Sequence, residues 1–351
     1  TREVITSRLN CFCSKMNNNN NNEILTPDEI LMRGLRLMFT EQRINNVNGD
    51  PRVSVRNMQR FKDHCGAKPL VAAKLWEDLI AADLAEDEQP SRLSVDGLLE
   101  ALHFLCRHRT ESEREATFDK STKTLRKWCW HCLKRIQDLK SKKIVFPDAF
   151  GADVWIMTVD GTHCKTNEPM HTECSQDEKC FSHKHKNSGL SYELGIDLFR
   201  SNLIWMNGPF PAGQNDNGTF AKEGGLKEKL TATGKKALGD KACNGHPEQC
   251  STCNAFDGPA VKSLKSRAQM RHEQFNGLLK EFYCLNGRFR HGEKKFAMCF
   301  EAVCALCQCR LENGEPLFDL LAGIELNEED VIEGEHEEVE SLAEFLDDVE
   351  L

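Results

Sequence analysis

The chain has 351 residues, of which 39% are hydrophobic and 29% are charged, as in a soluble globular protein with a full hydrophobic core. No apolar run approaches the ~20 residues that a membrane-spanning helix needs, and no signal-peptide pattern lies near Thr1. The net charge of −9 is unevenly distributed, because residues 321–351 hold thirteen Asp or Glu and no Lys or Arg. Composition therefore predicts a mildly basic body with an acidic tail and excludes an integral membrane protein.

Both ends of the chain are predicted to be disordered. Residues 1–25 include the low-complexity run Asn17–Asn22, which cannot bury apolar surface. The acidic tail, residues 321–351, solubilises the protein, engages a basic partner or shields the basic DNA-binding surface, and the first interpretation is favoured.

Residues 26–148 are predicted to be helical. Three stretches repeat apolar residues at three- and four-residue spacing: ILMRGLRLMF, LVAAKLWEDLIAADLA and VDGLLEALHFLCRH.

A helix-turn-helix is predicted at about residues 111–140. The pattern indicates a short helix, a tight turn at Asp119–Lys120, and a longer helix with Ser121 as its N-cap. The second helix would offer Lys123, Arg126 and Lys127 to a DNA groove. A solvated basic face on a packed helix explains the same residues equally well.

Residues 149–320 are predicted to form an α/β layered core, with strands followed by helices. The apolar run VWIMTV predicts a buried strand that ends at Asp160, and KKALGD predicts a later strand that ends at Asp240. The other predicted elements are two strands (GLSYELGIDLF and NLIWMNGPF), a helix over 218–230, a loop to Gly258, a long basic helix containing Glu273, and a helix over Phe296–Leu311.

Three carboxylates of this core share a pattern that indicates metal chemistry. Strand ends and an adjacent helix bring residues together at one edge of a sheet, so Asp160, Asp240 and Glu273 are expected to converge. Mg²⁺ prefers oxygen ligands, and a pair of such ions ~3.5–4 Å apart clamps the attacking and leaving oxygens of a phosphodiester. The same helix is basic, and Arg267, Arg271 and Lys280 are expected to contact DNA phosphates.

Five segments together resemble the DDE-type transposase superfamily, with the Harbinger (PIF) group as the closest match. They occur in the expected order, and the resemblance covers about residues 95–320. The segments are VDGTHC, SHKHKNSGLSYELGIDL, GPFPAGQND, LGDKA and RHEQFNGLLKEFYCLNGRFRHG.

The resemblance implies an RNase H-like nuclease core that uses Mg²⁺ or Mn²⁺ and acts on DNA. It maps the catalytic, metal-binding triad onto Asp160, Asp240 and Glu273. It also implies a separate Myb-like partner protein and nuclear localisation, and it leaves the oligomeric state open. One departure concerns activity: Lys241-Ala242 follows Asp240, where relatives usually have Gly-Tyr or a similar pair.

Cysteine spacing offers a competing prediction. A four-ligand zinc site could be built from the segment CNGHPEQCSTC, but a single CxxC beside a His is weaker evidence than two paired CxxC knuckles. Zinc is therefore disfavoured, and the seventeen cysteines are expected to be reduced thiols. The four candidate zinc ligands are Cys243, His246, Cys250 and Cys253.

Two further groups are assigned by weighing alternatives. Asp216 could be a fourth site carboxylate, but its position before a helix favours an N-cap. The basic loop His183–Lys186 either touches DNA or is simply solvated. The motifs GxGxxG, HExxH and GxSxG are absent, as is a complete P-loop.

The sequence thus predicts a transposon-derived DDE endonuclease or transposase that cleaves DNA phosphodiesters and transfers strands through the freed 3′-hydroxyl. The alternative is a domesticated or inactive descendant that binds DNA or a partner without cutting.

Overall fold

The structure, a computed structural model, describes residues 23–39, 54–85, 93–151, 153–166, 181–213, 216–240, 243 and 245–320. The asparagine run, Lys241-Ala242 and the acidic tail, on which three of the predictions depend, lie outside the described residues.

The N-terminal part of the described chain is helical, as predicted. Local capping defines the helix starts: Thr26 forms a capping box with Glu29, and the Ser94 side chain accepts a hydrogen bond from the Gly97 amide at 3.1 Å. The helices are α1 (Pro27–Met38), α2 (Val55–Cys65), α3 (Pro69–Ala85), α4 (Val95–Arg107), α5 (Glu111–Phe118), α6 (Thr122–Asp138) and α7 (Lys140–Lys143).

Two helices, α5 and α6, lie in the region of the predicted helix-turn-helix. Helix α5 ends at Asp119, which adopts the left-handed conformation with φ 50°. The Ser121 side chain caps α6 by accepting a hydrogen bond from the Thr124 amide at 3.3 Å. Their use in reading DNA stays a prediction.

The core is a mixed sheet flanked by helices. Strands run in the order β4-β3-β1-β5-β6, and β2 also pairs with β3. Strand β3 pairs antiparallel with β1, β2 and β4, whereas β5 is parallel to both β1 and β6. The strands are β1 (Trp155–Lys165), β2 (Phe181–Ser182), β3 (Asn187–Asp197), β4 (Leu203–Pro211), β5 (Lys236–Leu238) and β6 (Cys250–Ser251).

Strand β1 does not end at Asp160, so that prediction was wrong. The strand continues to Lys165 because β3 pairs with it along its whole second half, from Asp160 opposite Leu194 to Lys165 opposite Gly189. What stops near Asp160 is the pairing with β5, whose last partner pair is Thr158 and Leu238.

Two other predicted elements also need correction. The helix predicted over 218–230 is divided into α8 (Asp216–Phe220) and α9 (Leu226–Thr233), because Gly224 takes a left-handed φ of 69° between them. The loop predicted to reach Gly258 contains β6, whose two residues are too few to show a periodic pattern.

Three helices complete the core: α10 (Pro259–Lys280), α11 (Tyr283–Asn286) and α12 (Glu293–Glu312). One hydrophobic cluster runs from Ile30 in α1 to Leu317 and includes buried residues of both the helical region and α12. This cluster contains residues from both sides of the predicted domain boundary between residues 148 and 149. The boundary itself stays a prediction.

No helix within the described ranges combines the length and the apolar character that a membrane span requires. The cysteines of the same ranges are free thiols, and all except Cys253 are buried.

Candidate active site

A cavity of 1030 Å³ lies where β1, β5 and α10 meet, and we call it the catalytic cavity. Its lining includes Asp160, Asp240 and Glu273, the three carboxylates singled out in the sequence. The two aspartates are partly buried, and Glu273 is exposed. The fold therefore brings together three acids that are separated by up to 113 positions in the sequence.

Parallel pairing between β1 and β5 explains why the two aspartates are neighbours. Thr158 and Leu238 face each other in register, and each aspartate follows its strand's paired residue by two positions. Asp160 and Asp240 therefore lie at equivalent positions, just past the paired segment of two neighbouring parallel strands.

Glu273 reaches the cavity because contacts on both sides of it hold α10 against β1. The buried His272 ring lies with its Nδ1 at 2.8 Å from the Thr158 hydroxyl. One turn further along the helix, the Asn276 side chain donates to Asp160 Oδ2 at 3.4 Å. Burial lowers the pKa of His272 to about 3, so this ring is neutral and acts as a hydrogen-bonding spacer.

Thr158, His272 and Asn276 were not predicted as site residues. Asn276 had a sequence signal, because it lies three positions after Glu273 on the same helix, and residues at that spacing share a helix face. The Thr158–His272 contact joins residues 114 positions apart, and no local pattern indicates it.

The donor set of the cavity fits a hard divalent cation by chemistry and by location. Carboxylate oxygens are the ligands that Mg²⁺ and Mn²⁺ prefer, and three such groups line one space. Across the described ranges, however, no group of three or more His, Cys, Asp or Glu side chains is arranged to hold a metal ion. Asp160 Oδ1 accepts the Gly161 amide at 2.7 Å, and a carboxylate that accepts one such hydrogen bond keeps lone pairs for a metal ion.

Of the cations predicted on α10, only Lys280 lines the catalytic cavity. Its ammonium group is partly buried, 3.0 Å from the Cys164 sulfur and 3.4 Å from the Leu285 carbonyl oxygen. This cation therefore belongs to the cavity wall and adds positive charge beside the acids.

Arg267 and Arg271 are engaged within the protein. Arg267 donates to the carbonyl oxygens of Leu320 and Asp319 at 2.7 and 2.8 Å. Arg271 is 3% exposed and donates to the carbonyl oxygen of Asp197 at 3.1 Å and to that of Leu198. In this conformation both guanidinium groups secure neighbouring backbone segments instead of facing a DNA strand.

The three cations predicted on the second helix of the helix-turn-helix are exposed on α6. Lys123 and Lys127 extend from its first two turns, and the Lys127 ammonium lies 5.1 Å from the centre of the Trp128 ring. Arg126 pairs with Glu111 of α5, with Nε 2.7 Å from Oε1. The salt bridge ties α5 to α6, and the two lysines are better placed to meet a ligand.

The candidate zinc ligands are not gathered into a metal-holding group among the described residues. Cys243 and Cys250 are buried, and the hydrogen bond between their thiols, together with burial, raises the pKa of Cys250 above its ordinary value. Cys253 is exposed, and the His246 ring stacks on Phe220 at 5.4 Å.

Part of the predicted basic loop reaches the catalytic cavity. Lys184 and His185 line it, and the His185 ring stacks on His163, with ring centres 4.3 Å apart. Asp216 is the first residue of α8, and its role as an N-cap stays a prediction.

Fold and cavity together define an α/β protein with a carboxylate-lined cleft at the edge of a mixed sheet. Residues 159–308 match the family described as DDE superfamily endonuclease. The matched stretch contains all three carboxylates, and endonucleases of this kind generally use divalent metals. No curated protein and no solved structure matches the chain.

Proposed function

We propose that this protein is a metal-dependent DNA endonuclease of the transposase type. The observation that carries the proposal is the meeting of Asp160, Asp240 and Glu273 on one cavity, within the stretch that is similar to DDE superfamily endonucleases. A mixed sheet flanked by helices is in keeping with the RNase H-like core that such a nuclease would have.

The three carboxylates would hold Mg²⁺ or Mn²⁺, which when bound supplies an activated nucleophile and stabilises the departing oxygen of a phosphodiester. Asn276 would orient the Asp160 carboxylate through the contact to Oδ2. Lys280 and Lys184, on the cavity wall, would attract the phosphate and offset its negative charge. Two-metal cleavage and strand transfer by the 3′-hydroxyl are the finer parts of this proposal.

DNA would reach the protein through two further elements of the proposal. Lys123 and Lys127 on the exposed face of α6 would contact the backbone. The Harbinger-like assignment brings with it a Myb-like partner protein and nuclear localisation, both carried over from the resemblance.

The proposal is tested by nicking and linearisation of supercoiled plasmid DNA in Mn²⁺ or Mg²⁺. The wild type is expected to cut, whereas Asp160→Asn, Asp240→Asn and Glu273→Gln each lose cutting while they keep the wild-type melting temperature. Glu228→Gln, which changes an exposed carboxylate on α9 that lies outside the cavity, serves as the matched control. Cutting that survives all three active-site changes would rule the proposal out.

A second candidate is a non-cutting protein that binds DNA. It is favoured by one observation: no group of three or more His, Cys, Asp or Glu side chains is arranged to hold a metal ion in the described ranges. DNA binding by the wild type without any metal-dependent cutting would select this alternative.

A further inference from the structure

A second cavity of 1030 Å³ lies on the other side of α11, between that helix and the ends of α2 and α4. We call it the basic cavity. Its charged lining includes five permanent cations and three acids: Lys62, Arg107, Arg109, Arg288 and Arg290 against Asp63, Glu113 and Glu281. None of these residues lines the catalytic cavity.

Two of the acids are already neutralised by contacts of their own. Glu113 lies 3.3 Å from Arg109 and caps α5, and Glu281 lies 2.8 Å from the buried Arg310. By contrast, Arg107 and Arg288 have no hydrogen-bond or ion-pair partner within the part of the chain that the structure describes. The cavity therefore retains positive charge that the surrounding protein does not offset.

The negative ends of helix dipoles explain the presence of some of these cations. Helices α2 and α4 both finish at this cavity, and each C-terminus carries about −0.5 of a charge that a nearby cation offsets. Lys62 and Arg107 fit that role. Arg288 belongs to neither helix and is exposed, and the excess of two cations exceeds the charge of both helix ends together.

A buried nitrogen in the cavity wall also lacks a partner. His108 is 3% exposed, its ring stacks on Phe289 with centres 5.1 Å apart, and its Nε2 has no hydrogen-bond partner among the described residues. Burial, followed by the charge of Arg290, lowers the pKa of His108 to about 4, so the ring is neutral. This nitrogen has no accessible surface, so His108 forms part of the cavity wall without offering its Nε2 to a ligand.

The basic cavity adjoins the catalytic cavity across α11. Leu285 and Asn286 of this helix line the catalytic cavity, whereas Tyr283 lines the basic cavity with a ring that is 55% exposed. An α-helix with its side chains is ~10–12 Å across, close to the rise of three nucleotides at ~3.4 Å each. A strand that enters one cavity therefore reaches the other within a few nucleotides.

We infer that the basic cavity binds phosphates of the DNA strand that flanks the catalytic cavity, with Arg107 and Arg288 as the phosphate contacts. Tyr283 supplies a stacking face for a base at the crossing over α11. The inference rests on the proposed function for the identity of the ligand, but not on cleavage.

The test is the salt dependence of binding to a labelled random-sequence duplex and to one of its single strands, in EDTA so that nothing is cut. Removing two phosphate contacts, with Arg107→Gln and Arg288→Gln together, is expected to reduce the logarithmic salt slope by about 1.8 for the duplex and by about 1.4 for the single strand. Wild-type affinity would then fall about tenfold more than that of the variant between about 50 and 200 mM salt.

The matched control removes two exposed arginines that line neither cavity, with Arg56→Gln and Arg200→Gln together. It is expected to keep the wild-type slope, and Arg288→Gln alone covers the case in which the double variant fails to fold. Equal slopes for the cavity variant, the control and the wild type would overturn the inference, as would an effect of the same size in the control.

Failure of the inference is distinguishable from failure of the proposed function. A cavity-dependent slope without carboxylate-dependent cutting would leave the inference standing and remove the nuclease. Carboxylate-dependent cutting with an unchanged salt slope would support the nuclease and overturn the inference about the basic cavity.

Discussion

Asp160 is the site residue whose surroundings are most completely defined. One carboxylate oxygen accepts the Gly161 amide at 2.7 Å, and the other accepts the Asn276 side chain at 3.4 Å. Because Asn276 and Glu273 share α10, a single helix carries one carboxylate of the site and orients another. Mutation of a residue that orients a metal ligand in this way typically lowers metal affinity 10–100-fold.

Replacement of Asn276 tests this orienting role. Asn276→Ala is expected to lower Mn²⁺ affinity by about tenfold, because the Asp160 carboxylate loses a positioning contact and remains present. Titration of Mn²⁺ measures the change, and Asn286→Ala, which changes an exposed side chain of the same cavity, is the control. Equal affinities for the two variants would contradict the assigned role.

At the scale of single elements, α6 combines a buried face with an exposed basic face. Leu125, Cys129 and Leu133 pack into the core, and Lys123 and Lys127 point outward. This packing accounts for the buried face of α6. It gives no information about DNA binding by the exposed face. The exposed lysines therefore need a direct test.

Lys123→Gln combined with Lys127→Gln is expected to weaken DNA binding about uniformly across sequences and to reduce the salt slope by about 1.8, if each lysine contacts one phosphate. The control pair, Lys134→Gln with Lys142→Gln, changes exposed lysines further along the same region. Fluorescence anisotropy over a salt series gives both slopes. A control that matches the test pair would show that the effect is only one of net charge.

Helix α4 carries a buried histidine that makes the stability of the helical region depend on pH. Burial, followed by the charges of His64 and Arg114, lowers the pKa of His103 to about 3. In the unfolded chain the same group has a pKa of ~6.5, so between these values only the unfolded state takes up the proton. The stability contributed by the neutral ring is complete above pH ~6.5 and is lost as the pH falls towards 3.

Denaturant unfolding at pH 7 and pH 5 measures this effect. The wild type is expected to lose about 2 kcal/mol more than His103→Leu over that interval, because the leucine variant has no proton to gain. Leucine also removes a buried Nδ1 that has no partner among the described residues. An identical pH dependence in both proteins would show that His103 is already accessible to protons in the folded state.

The accuracy of sequence-based prediction differed between these elements for physical reasons. Helices α3, α4 and α12 are apolar segments of 17, 13 and 20 residues, and that length favours a helix over a strand. The continuation of β1 beyond Asp160 depends on pairing with β3, and the formation of β6 depends on pairing with β5. Pairing between distant strands cannot be predicted from local sequence patterns. Among the cations, charge alone could not show that Arg271 is buried while Lys280 lines the cavity.

At the scale of the whole molecule, the helical region and the sheet-bearing region are held together by more than apolar packing. The fully buried Arg310 of α12 lies 2.8 Å from Glu281 and 2.7 Å from Glu315. Glu315 also faces Lys62 of α2 at 3.6 Å and Lys68 at 3.5 Å. This network joins the chain after α12 to the helices at the N-terminal side of the fold.

Arg310→Met is expected to destabilise the protein by about 3 kcal/mol, because it leaves a partly buried carboxylate without its closest cation. Denaturant unfolding at neutral pH gives the value. Arg56→Met, at an exposed position on α2, is expected to stay within about 0.5 kcal/mol of the wild type. A small effect at Arg310 would mean that Lys62 and Lys68 suffice to balance Glu315.

Mn²⁺ titration calorimetry in the presence of a DNA duplex tests whether Asp160, Asp240 and Glu273 act as one metal-binding unit. The wild type is expected to bind Mn²⁺, and Asp160→Ala and Glu273→Ala are each expected to abolish this binding, while Glu228→Gln leaves it intact. Unchanged Mn²⁺ binding in both alanine variants would show that these carboxylates do not form a metal site.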